Sequence, residues 1–296
     1  MTKSNHERMT LRQKNLSARS CALALNKVLL TILLLLPSVI YSQGDLLITP
    51  KRIVFEGNRR SMDINLSNIG QDSATYSISL IQVRMREDGG FETITEPDPG
   101  QRFADRFVRF FPRTVTLGPG EAQTIKVQLI RSNELTPGEY RSHFYFRAVP
   151  KPKPLGEEEL PSDTTSISVK LIPIYGITIP VIIRSGASNT TVTLSDLLFD
   201  YDTRNNPRIS MVFNRTGNMS VYGDIAVDYI SPQGKATRVG VANGVAVYTP
   251  NAKRRFVLNL TIPEGTDLRT GKLKVTYSAP SDVKPEKYAE AELVLK

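Results

Sequence analysis

The chain has 296 residues, 40% of them hydrophobic and 23% charged, a balance that permits ordinary globular packing. Its formal net charge is +9, but residues 1–42 hold six Lys/Arg against Glu7, so about +4 remains beyond them and the charge gives no ground for nucleic-acid binding. The single cysteine, Cys21, leaves the rest of the chain without a thiol, which excludes a disulfide, a cysteine nucleophile or a thiolate metal site there.

The first segment has a basic start (Lys3, Arg8, Arg12, Lys14, Arg19, Lys27), then the apolar run Val28 to Ile40, and a small residue at Ser42. This is the pattern of a secretory signal peptide, and the run is short for a bilayer span. Cleavage near Ser42 removes Cys21 and leaves an exported chain with no stable membrane insertion. It would be held together by core burial alone.

From Leu46 onward, Gly, Pro, Asn and Asp recur about every ten residues between alternating apolar segments, the pattern of an all-β sandwich. Expected strands are Leu46–Phe55, Ser61–Asn68, Thr75–Met85, Phe107–Leu117, Gln123–Ile130 and Tyr140–Ala148. Turn chemistry separates them at Glu56-Gly57-Asn58, Asp88-Gly89-Gly90, Gly118-Pro119-Gly120 and Thr136-Pro137-Gly138. The stretch between Ala148 and Thr165 is rich in proline and charge and poor in large apolar residues.

Thr165 to Arg184, TSISVKLIPIYGITIPVIIR, closes this half. Ile167, Val169, Leu171, Tyr175, Ile177, Ile179 and Val181 share one alternating face. The opposite face is polar at Ser166, Ser168 and Lys170 and apolar at Ile172, Ile174 and Ile182. A strand that passes from one apolar face to two is an edge at its start and buried at its end. Two readings stay open: a long or bent core strand, or an apolar edge kept for pairing with another chain.

After Ser185-Gly186-Ala187-Ser188 the pattern repeats with shorter elements: Thr191–Leu198, Arg208–Asn214, Val221–Ile230, Gly244–Tyr248, Arg254–Ile262, Lys272–Ala279 and Tyr288–Leu295. The expected division is a signal peptide at 1–42, an N-terminal immunoglobulin-like domain at 43–184 and a C-terminal β-sandwich at 185–296.

Enzyme constellations are missing. Beyond residue 42 the one histidine is His143, in a strand and without a Cys or His companion. No metal-ligand spacing, phosphate loop or nucleophile elbow is present, so no cofactor, metal or catalytic residue is expected. Two arginines draw notice. Arg52, in KRIVFEG, is either a solvent-facing strand residue or one that needs a carboxylate or a cleft. Arg184 ends the long strand where the two halves should meet, and an ion pair at that junction is its natural role.

Five motifs in order, TPKRIVFEG at 49–57, INLSN at 64–68, LGPGEAQTIKVQL at 117–129, EYRSHFYFRAVP at 139–150 and YGITIPVIIR at 175–184, resemble the PapD-like periplasmic chaperones of chaperone–usher systems, with an ending closer to the archaic or alternative branch. The resemblance covers the first half well and the second only by length and β-character. It implies two immunoglobulin-like domains in a boomerang arrangement, with a cleft between them. It also implies a chaperone that caps fimbrial (pilin) subunits by donor-strand complementation and hands them to an outer-membrane usher. The donor residues would be Ile167, Val169, Leu171 and Tyr175. Arg52 would hold the subunit's terminal carboxylate. The family's second basic anchor falls near Pro180, where no lysine stands; Lys51, Lys170 and Arg184 are the substitutes at hand. Self-association through the edge strand is left open. The rival reading is a secreted structural or adhesive two-domain protein without a chaperone role.

Overall fold

The computed structural model describes residues 46–150, 174–266, 268–280 and 286–295. Ile167, Val169 and Leu171 lie outside the described residues. The protein is all-β, with two β-sandwiches of immunoglobulin-like character within one compact unit.

The first sandwich comprises β1 (Leu46–Thr49), β2 (Ile53–Phe55), β3 (Ser61–Asn68), β4 (Ala74–Met85), β5 (Phe91–Ile94), β6 (Val108–Phe111), β7 (Thr114–Leu117), β8 (Ala122–Leu129), β9 (Gly138–Val149) and β10 (Gly176–Ser185). One sheet runs β1-β3-β8-β6; the other runs β2-β10-β9-β4-β5, with β7 also on β4. Two segments expected as single strands are each broken in two. Leu46–Phe55 divides at Pro50 and Phe107–Leu117 divides at Pro112, and in both cases the halves join opposite sheets. Proline cannot donate to a ladder, so the chain leaves one sheet there and enters the other at the sandwich corner.

The two inner faces interdigitate. Ile53, Phe55, Ile64, Leu66, Phe107, Ile125, Val127, Phe144 and Val181 form much of the first core. Phe110 meets Phe144 edge-on with centroids 5.1 Å apart, the arrangement the aromatic quadrupole favours. Asn68, the last residue of the INLSN motif, is fully buried. Its amide donates to the carbonyls of Asp72 (2.8 Å) and Leu117 (3.1 Å) and its oxygen accepts from Gly70 N–H (3.0 Å). A buried amide so satisfied ties the turn after β3 to the turn after β7.

β10 changes character along its length. Gly176, Ile177 and Thr178 are exposed, whereas Ile179, Val181, Ile182 and Ile183 are buried. The cause is its neighbours. It pairs with β9 from Gly176 to Ser185, but with β2, in parallel, only at Val181–Ile183.

The second sandwich comprises β11 (Thr191–Tyr201), β12 (Pro207–Thr216), β13 (Val221–Ile230), β14 (Ala236–Val247), β15 (Lys253–Asn259), β16 (Lys272–Ser278) and β17 (Lys287–Val294). Its sheets run β11-β12-β15 and β14-β13-β16-β17. β14 starts at Ala236, well before the expected Gly244, and carries Gly240 in its ladder and Gly244 at a register shift. Gly240 sits where an added Cβ would strike Leu260, and Gly244 has φ +72°, a conformation that favours glycine. The short strand β5 was not expected at all; with one exposed phenylalanine and no alternation it has no pattern to read.

Candidate functional site

The chemistry of the protein gathers where β2, β9 and β10 of the first sandwich face the β12–β13 and β14–β15 connections of the second. Its centre is Glu139, at the start of β9, whose side chain is fully buried. Arg141, two residues on and also buried, donates Nη2 to Glu139 Oε1 and to Ser220 Oγ (2.7 Å). Ser220 lies just before β13, and its N–H and Oγ both donate to Glu139 Oε2, at 3.0 and 2.6 Å. Arg184 completes the group. Its Nε stands 3.5 Å from Glu139 Oε2, Nη1 3.8 Å from Glu56, and Nη2 donates to the carbonyl of Ser220 at 3.1 Å.

Burial acting alone would push the Glu139 carboxyl up. The Arg141 guanidinium, the hydrogen bond from Ser220 and the charge of Arg184 outweigh it and hold the group below the usual carboxylate range. An ionised carboxylate is stable in that buried position because both of its oxygens meet donors and positive charge.

Ser220 is itself held by a residue that sequence reasoning passed over. Arg215, buried near the end of β12, donates to the carbonyls of Asn251 (2.8 Å), Gly217 (2.9 Å) and Met219 (2.8 Å). One guanidinium thus shapes two loops of the second sandwich, the one that presents Ser220 and the one that carries Asn251.

Beside this cluster is a cavity of about 150 Å³ lined by Lys51, Arg52, Arg141, Pro180, Ile182, Ser220, Tyr222, Ala246 and Tyr248. Arg52 lies between β1 and β2, half-buried, with its guanidinium 3.8 Å above the Tyr222 ring. Arg141 stacks on Tyr248 at 3.3 Å. Among the described residues, Arg52 Nε and Arg141 Nε and Nη1 are buried without a hydrogen-bond partner. Burial first, then the charges of Arg141 and Arg184, lower the Arg52 pKa from its ordinary value. Four cationic side chains (Lys51, Arg52, Arg141, Arg184) meet two carboxylates, Glu139 and Glu56, an excess of two positive charges. Buried guanidinium N–H groups left unpaired in a positive field can donate to an anion. The volume falls below the ~300–1,000 Å³ of a drug-sized ligand site and suits a single carboxylate group.

Of the residues expected from sequence, the structure brings Arg52 and Arg184 to the same junction. Lys51 lines the cavity but is exposed. Lys170 lies outside the described residues. Pro180 lines the cavity too, and the second buried guanidinium comes from the neighbouring strand, at Arg141. Tyr175 is exposed, just before the part of β10 that pairs on one side only among the described residues. His143 is buried against Phe91 and Tyr248, and burial, with the nearby Arg141 charge, lowers its pKa to about 3. Glu139, Arg141, Arg215 and Ser220 were missed. Nothing in the order of residues singles them out: Glu139 and Arg141 open a strand that also carries His143 and Arg147.

No protein family's sequence model matches the chain, and no curated protein matches it. Solved structures do. The YadV chaperone is 14% identical, over 85% of this chain and 100% of that one, with a TM-score of 0.42. The class 5 fimbriae chaperone CfaA is 16% identical, over 85% and 99%, with a TM-score of 0.39. The CsuC–CsuE chaperone–tip adhesion subunit pre-assembly complex, from the archaic chaperone–usher Csu pili of Acinetobacter baumannii, matches at 11% over 72% and 90%, with a TM-score of 0.39. Identities this low, with TM-scores below 0.5, leave the functional reading to the chain's own residues.

Proposed function

We propose that this protein is a periplasmic chaperone that captures fimbrial subunits by lending them a β-strand and passes them to an outer-membrane usher. The observation that carries the proposal is the adjacency of two features. Gly176–Pro180 pair on one side only among the described residues, and the same strand, at Pro180 and Ile182, lines the cavity of Arg52 and Arg141. A sheet edge offers main-chain hydrogen bonds to an extended partner, and the cavity offers a place for that partner's chain-terminal carboxylate. Ile174, Tyr175 and Ile177 are exposed along this edge, and Ile167, Val169 and Leu171 precede them in the sequence with the same alternation. Arg52 and Arg141 are the two anchors, and Arg141, rather than Lys51, Lys170 or Arg184, stands in for the family's second basic residue. The basic, apolar and small-residue order of residues 1–42 supports export.

The test is co-expression with a fimbrial subunit that lacks its last strand. Capture by the wild type and its loss in Arg52→Ala, with the variant still folded, is the expected result. A variant that captures the subunit as well as the wild type removes Arg52 from the site.

A further inference from the structure

The turn between β4 and β5 leaves the first sandwich and touches the second. Glu87 O accepts a hydrogen bond from the backbone N–H of Arg255 in β15 at 2.6 Å. Asn251 Nδ2 donates to the carbonyl of Met85, also at 2.6 Å. Gly89, at φ +84°, packs its Cα on the Arg254 guanidinium, so closely that a Cβ would stand 2.5 Å from Nη2. Behind the turn, the Phe91 ring lies 5.6 Å from Tyr248, the residue on which Arg141 stacks.

These contacts lie apart from the Glu139–Ser220 cluster, with Arg141 and Tyr248 between the two groups. Two sandwiches joined through one short crossing and one cluster turn about it, and motion of this kind is the default for domains in one chain unless their interface is large. A second attachment removes that freedom. One of its contacts, Glu87 O to Arg255 N–H, joins main chain to main chain, which side-chain rotation cannot release, and Arg215 fixes the loop from which Asn251 reaches across. We infer that the β4–β5 hairpin is a strap that locks the second sandwich onto the first and holds Tyr248 at the cavity wall. Its role at the cavity rests on the function proposed above; its role as a strap does not.

The experiment reads the strap without any ligand. Spin labels are placed on Gln123→Cys in β8 and Lys235→Cys before β14, both exposed, in the chain beginning after residue 42, which has no native cysteine. Double electron–electron resonance then gives the distance between the sandwiches. The strapped protein is expected to show one narrow distance, and Asn251→Ala with Arg254→Ala to lose it to a broad distribution while circular dichroism keeps its sheet signal. Arg255→Pro, which removes the backbone donor, is expected to do the same. If Arg255→Pro fails to fold, the double alanine variant remains the test. A narrow distance unchanged in the double variant, or a broad one already in the wild type, overturns the inference. Failure of the carboxylate site leaves these distances untouched, so the two readings fall separately.

Discussion

Ser220 Oγ donates to Glu139 Oε2 at 2.6 Å, and the Ser220 backbone N–H donates to the same oxygen at 3.0 Å. The two residues are 81 positions apart, one opening β9 in the first sandwich and the other preceding β13 in the second. This carboxylate is a point at which the two halves share buried hydrogen bonds, and it orients Arg141 beside the cavity.

Removing it leaves Arg141 buried without its counter-charge. Glu139→Ala is expected to destabilise the protein by about 3–5 kcal/mol, the usual cost of breaking one partner out of a buried pair. Because the folded-state pKa lies below the ordinary 4.5, the stability Glu139 contributes is present above 4.5 and is lost as pH falls through the folded value. Urea unfolding of the wild type and Glu139→Gln across that window checks this: the variant should lack that part of the acid sensitivity.

His143 acts at a different pH. Its folded-state pKa of about 3 lies below the ordinary 6.5, so between the two values the unfolded chain holds a proton that the folded protein does not. Stability is therefore expected to fall as pH drops from 6.5 toward 3, by up to ~1.4 kcal/mol per pH unit from this residue. His143→Asn should flatten that slope. In the chain beginning after residue 42 this is the only histidine, so its imidazole resonance should titrate alone, far below the position of a free histidine.

Arg52 and Arg141 should separate binding from stability. Arg52 sits among like charges with an unpartnered Nε, so Arg52→Ala is expected to leave the melting temperature unchanged or higher. Subunit affinity should drop at least about tenfold, since one charged hydrogen bond contributes ~1.5–3 kcal/mol. Arg141→Lys keeps a charge near Glu139 but loses the planar fork, and the affinity loss should persist in it. Calorimetric melting and surface plasmon resonance with a strand-deficient subunit measure both.

The edge of β10 gives a third separation. Ile177 is exposed and, among the described residues, pairs only with Phe146 of β9. Ile177→Asp is expected to weaken subunit capture and barely alter the melting curve, because the side chain lies outside the core. Ile179→Asp, two residues on and buried, should unfold the protein instead. Equal melting losses in both would make the outer part of β10 ordinary core.

Much of this architecture is legible in the amino-acid order because alternation with period two reports which face of a strand is apolar, and Gly, Pro, Asn and Asp report where a strand stops. From these follow an all-β chain and most of its strands. Alternation does not say which strand lies next door. The divisions at Pro50 and Pro112, β5, and the half-paired edge of β10 were decided by sheet order, which depends on contacts far apart in sequence. The same holds for the site. Arg52 can be singled out because an arginine inside an apolar segment demands a reason. Glu139 and Arg141 cannot, since β9 is buried on both faces at its start and shows no alternation there. That their charges meet Ser220, and that Arg215 shapes the loop presenting it, exists only once the second sandwich is folded against the first, where desolvation turns scattered surface-like charges into one paired and oriented group.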